Sequence, residues 1–138
     1  MVKAITDQFN VIVLGIVFDP LNKKILIGKR NDSPYFSELG WTFPGGKLKN
    51  GNDPDKTLKE RIKNQTGHKV KNLGAIFAKT YPEQEDLIAV YFLCESVGGN
   101  EKTGKKLIEM KWISPEEVEN HFTTSFHPRL KEYILSLK

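Results

Sequence analysis

The stretch from Trp41 to Gly67 constrains this chain most: Trp-Thr-Phe-Pro-Gly-Gly-Lys, a polar loop, then one helix with both ends marked. Asp53 is a good N-cap and Pro54 sits at the first helical position, where its missing N–H breaks no bond. Gly67 stands where a left-handed residue closes a helix. These signals predict a helix over residues 54–66. Its apolar stripe is only Leu58 and Ile62, so one narrow face meets the core and the rest faces polar surroundings. Pro44-Gly45-Gly46 reads as a turn whose backbone, bare of Cβ, admits a ligand closely. A helix leaving such a turn presents side chains at i, i+3 and i+4 on one face. Three carboxylates so placed would hold Mg²⁺ against a pyrophosphate.

The flanking segments alternate between strand and helix. Residues 9–19 and 24–29 are β-branched, apolar runs joined by the turn Asp19-Pro20-Leu21-Asn22, which predicts a hairpin. Residues 31–40 form a polar loop carrying Tyr35, and 41–44 a short extended piece. Residues 70–80, 87–95 and 106–113 read as strands, with a charged loop over 81–86. Ser114-Pro115-Glu116-Glu117 resembles a capping box, and 128–137 is an amphipathic helix with Leu130, Tyr133, Ile134 and Leu137 on one face. With 138 residues and no linker-like segment, one domain over 1–138 is expected.

The net charge of +4 favours anionic partners, but Lys and Arg are scattered, so a nucleic-acid partner is not expected. The single cysteine, Cys94, lies in an apolar stretch and suits a buried position in a reducing compartment. No apolar run approaches the length of a membrane span and no leader is evident at the N-terminus; a cytoplasmic protein is expected. His68 and His127 have no ligand spacing to each other or to Cys94.

The 41–68 segment resembles the Nudix (MutT-like) hydrolase family, whose box is G-x5-E-x7-R-E-U-x-E-E-x-G-U, with U a bulky apolar residue. Its first glycine falls on Gly46 and its last on Gly67 without a gap. The resemblance spans nearly the whole chain and implies an α/β/α sandwich with a mixed sheet. At the acidic positions the chain departs from the box. The first glutamate falls on Asn52, the Arg-Glu pair on Glu60-Arg61 in reversed order, the Glu-Glu pair on Asn64-Gln65, and the last apolar position on His68. A divalent cation ~5 Å from a guanidinium is repelled by roughly 6–7 kcal/mol at an effective dielectric near 20, with Arg61 free to swing away. A degenerate box with no resident metal or cofactor is therefore expected.

Three functions are compatible with these residues. The first is a Nudix-fold protein that binds a nucleotide or nucleoside-diphosphate-linked ligand, with metal-assisted pyrophosphate hydrolysis weak or lost. The second is an atypical Mg- or Mn-dependent pyrophosphohydrolase, with metal at Gly46 and Glu60. The third is a non-catalytic protein- or RNA-interaction module. The candidate ligand and phosphate residues are Arg30, Trp41, Gly45, Gly46, Lys47, Arg61, Asn64 and Gln65, and Arg61 offers a bidentate phosphate contact in place of a metal. Glu60 and Glu109 are the candidate catalytic carboxylates; the loop acids Glu83, Glu85 and Asp86 read as surface charge that the resemblance also allows as a base. Stacking on a base is open to Tyr35, Trp41 and Phe43. The resemblance allows a homodimer.

Overall fold

A computed structural model describes residues 8–30, 40–104, 106–122 and 126–138. Tyr35 lies outside the described residues. The chain runs β1 (Asn10–Asp19), β2 (Lys24–Arg30), β3 (Trp41–Thr42), β4 (Gly45–Leu48), α1 (Pro54–Thr66), β5 (His68–Tyr81), β6 (Gln84–Gly99), β7 (Leu107–Ile113), a 3₁₀ turn (Pro115–Glu117), α2 (Val118–His121) and α3 (Pro128–Leu135).

The strands form one mixed sheet in the order β3-β2-β1-β6-β5, with β4 also on β1 and β7 also on β2. Strands β1 and β6 are parallel from Asn10–Leu87 to Phe18–Glu95, and the other pairings are antiparallel. Side-chain alternation along β1 divides the core. Ile12, Leu14 and Ile16 pack on one face with Val118, Leu130 and Ile134 of the C-terminal helices. Val13 and Val17 pack on the other with Leu58 and Ile62 of α1. Helices thus cover both faces of a mixed sheet, the α/β sandwich expected. No helix among the described residues is long and apolar enough to cross a membrane.

Three local expectations change. Gly45-Gly46 is not a turn. Strands β1 and β2 pair directly only near their shared turn, from Val17–Leu26 to Asp19–Lys24. Beyond that, residues 41–48 bridge the two strands: β3 pairs with β2 at Thr42 and Trp41, and β4 pairs with β1 from Gly45–Leu14 to Leu48–Val11. At the crossing, the Gly15 N–H donates to the Pro44 carbonyl at 2.8 Å. The charged loop over 81–86 contracts to a tight turn, because β5 and β6 extend until Tyr81 pairs with Gln84. Ser114 does not cap the helix start; its Oγ accepts from Lys24 Nζ at 2.9 Å.

Cys94 is fully buried against α1, and desolvation pushes its thiol up to about 12. The thiolate is the reactive species, so an aromatic disulfide reagent at neutral pH is expected to label Cys94 only as fast as the protein unfolds. Titration of the thiol with and without denaturant checks this; immediate native labelling would refute it.

Candidate functional site

The helix α1 is built as its sequence dictates. Asp53 accepts from the Lys56 N–H at 2.9 Å, and Gly67 at φ 82° donates to the Lys63 carbonyl at 2.9 Å. Leu58 and Ile62 turn inward, and the C-terminal half of the helix lies over β4. That packing brings two candidate residues onto the Gly-Gly pair.

Gln65 is buried and grips Gly45 from both sides. Its Nε2 donates to the Gly45 carbonyl at 2.7 Å, and the Gly45 N–H donates to its Oε1 at 3.1 Å. The side-chain amide thus exchanges two bonds with one backbone residue, as a paired antiparallel residue would. Expected as ligand contacts, Gln65 and the Gly45 peptide groups are instead spent on each other. Arg61 is one helical turn earlier. A Cβ built on Gly46 would lie 3.3 Å from Arg61 Cδ and Nε, so the arginine stem rests across Gly46. Arg61 has no ion-pair or hydrogen-bond partner among the described residues. The exposed Lys47 follows Gly46 on β4.

The remaining candidates lie elsewhere. Glu60 and Asn64 share a surface cavity with Lys59, Lys63 and Lys69, on the flank of α1 facing the start of β5. A second group gathers at the end of β2, where Lys29 pairs with Trp41 on one side and Glu109 on the other, and Arg30 pairs with Leu107. Trp41 is half-buried, with Lys111 Nζ 4.8 Å from its ring centre and the His121 ring edge-on at 5.7 Å. Phe43 is buried between Tyr91 and Phe122, which removes it as a stacking surface. Gln84 bonds to Asp86 at the start of β6.

One polar network escaped the sequence reading. His68 Nδ1 is 2.7 Å from Ser96 Oγ, and its Nε2 is 2.9 Å from Glu101 Oε1, which also accepts from Trp112 Nε1 at 2.7 Å. The His68 bond foremost, and Trp112 with it, holds the Glu101 carboxyl below its ordinary range, against a smaller opposing effect of burial. The partners are 28 and 33 residues from His68, and no local spacing signals them.

This donor set does not fit a hard divalent cation. Beside Gly46 stand a guanidinium and an amide whose oxygen is already bonded, where oxygen anions would be needed. Among the described residues no group of three or more His, Cys, Asp or Glu is placed to hold a metal. What the face offers is a planar cation on a glycine, without a partner among the described residues, a geometry suited to phosphate oxygens.

Comparison with known proteins gives a consistent picture. The NUDIX domain family matches residues 8–134. A "MutT-like protein" of Streptomyces ambofaciens is 26% identical over 92 residues, which cover 65% of this chain and 58% of that protein. A NUDIX hydrolase from Nitrosomonas europaea superposes with a TM-score of 0.77 at 19% identity, over 96% of this chain and 73% of that one. An ADP-ribose pyrophosphatase from Streptococcus suis superposes with a TM-score of 0.63 at 19% identity, over 78% of this chain and 75% of that one.

Proposed function

The chain belongs to the NUDIX domain family, and on that premise we propose that it binds a nucleotide or nucleoside-diphosphate-linked ligand, with metal-assisted pyrophosphate hydrolysis weak or lost. The observation that carries this reading is Arg61 lying across Gly46 with no ion-pair or hydrogen-bond partner among the described residues. A guanidinium there attracts a diphosphate directly and repels the cation that a hydrolase would place between them. The ADP-ribose pyrophosphatase among the structural neighbours supports a diphosphate-linked nucleoside as the first ligand class to try.

The test is calorimetry with ADP-ribose, nucleoside diphosphates and nucleotide sugars in chelator. At least one is expected to bind without metal, and Arg61→Ala to weaken it about 10- to 100-fold, the cost of a bidentate charge-assisted contact. Titration with Mg²⁺ or Mn²⁺ alone is expected to give no saturable heat. Turnover of any of these compounds that vanishes with chelator and with Glu60→Gln would overturn the reading in favour of an atypical hydrolase.

A further inference from the structure

The flank of α1 away from Arg61 carries its own concentration of charge. The cavity beside Glu60 continues, through the shared residues Lys63, Asn64 and Lys69, into one of about 570 Å³ between the end of α1 and the segment after β6. Lys63, Lys69 and Lys102 line this second cavity with the amides of Asn64 and Asn100, and no acid lines it among the described residues. None of the three lysines has an ion-pair partner among the described residues. Like charges collected on one concave surface repel each other, and a bound anion relieves that repulsion.

Among the described residues, two acids adjoin the cavity without lining it: Glu60, on the continuous cavity, and Glu101, whose carboxyl is held below its ordinary range. Glu101, the acid of the adjoining segment, has its carboxylate taken by His68 and Trp112. The carbonyls at the helix end carry partial negative charge, which backbone donors partly offset. Those of Lys63, Gln65 and Thr66 accept backbone N–H groups from Gly67, Gly104 and Lys102 at 2.8–2.9 Å. Close packing here requires glycine: a Cβ on Gly67 would meet Asn100 O at 1.8 Å, and one on Gly104 would meet Asn64 O at 1.9 Å.

We propose that this cavity is a second anion site, independent of Arg61, that takes a small oligophosphate. The volume falls within the roughly 300–1,000 Å³ of small-molecule sites. Among the described residues the lining has no aromatic ring on which a base would stack, so it recognises the phosphates and not a nucleobase or a nucleic-acid strand.

Calorimetry with tripolyphosphate, in chelator and at low salt, tests this on the Arg61→Ala protein, where the face beside Gly46 is disabled. One-to-one binding is expected to persist there. Adding Lys63→Gln, Lys69→Gln and Lys102→Gln is expected to weaken it about tenfold or more, as charge-assisted bonds are lost. Shifts of the Gly67, Gly99 and Gly104 amide resonances on titration locate the ligand. No heat with tripolyphosphate, or equal affinity after the lysine changes, overturns the proposal. Tighter binding of an oligothymidylate than of tripolyphosphate overturns the small-ligand assignment.

Discussion

Gly45→Ala is expected to lower the melting temperature by more than about 10 °C or to prevent folding, a loss on the order of 4 kcal/mol or more. Gly45 has φ 150°, a backbone region that residues with a Cβ rarely adopt. The added methyl would also stand 2.0 Å from the Val13 carbonyl oxygen and 2.9 Å from Leu14 Cα. Both obstacles are backbone atoms of the central strand, which is paired on its other edge with β6, so neither yields by a side-chain rotation. A domain has roughly 5–15 kcal/mol of stability in all, so such a clash consumes much of it. Thermal unfolding followed by circular dichroism decides the matter; a melting temperature within roughly 3 °C of the parent would sink the argument. Gly51→Ala is the control, because a Cβ there meets nothing within 4 Å although φ is 81°. It should show only the smaller cost of the backbone angle.

Gln65→Leu is expected to destabilise the protein by about 3–5 kcal/mol, because it leaves the buried Gly45 N–H and carbonyl both without partners. The more telling change is Gln65→Glu, which alters no heavy-atom count. A carboxylate accepts from the Gly45 N–H as the amide does, but it opposes the Gly45 carbonyl with a negative oxygen. Burial and that carbonyl together raise the pKa of the new carboxyl above its unfolded value of ~4.3. The protonated form donates to the carbonyl and restores the grip. Stability relative to the parent is therefore regained below the unfolded pKa and lost as pH rises through the folded one. Denaturant melts at about pH 4 and pH 7 read the sign. A Gln65→Glu protein as stable as the parent at neutral pH would show that the amide pairing contributes nothing.

The limits of α1 were legible because they are written locally. Asp53, Pro54 and Gly67 act on their own backbone or on neighbours within one turn, and the helix spans the expected Pro54–Thr66. The alternating runs of β1 and β2 were legible for a similar reason, since the period of side-chain direction is a property of each strand alone. Strand β4 was not. Glycine pairs lack strand propensity, and the extended form of Gly45-Gly46 is imposed by β1 on one side and the Gln65 amide on the other, 20 residues along the chain. The same distance hid the role of Gln65. Its position in the box alignment pointed outward to a ligand, whereas its burial pointed inward to the fold. Arg61 was legible as a cation, but its resting place on Gly46 depends on how the helix sits over β4.

The parallel register of β1 with β6 bears on how this protein assembles. Asn10 meets Leu87 across most of the sequence between them, while β5 and β6 are joined by a tight turn. Closing so wide a loop costs entropy before any contact repays it, and hairpin closure costs far less. The hairpin is therefore expected to form first and to offer an open edge on which the N-terminal strand docks. The Gly45-Gly46 segment is walled by β1 and by Gln65, so the candidate ligand face is expected to assemble within the first half of the chain, without waiting for that docking.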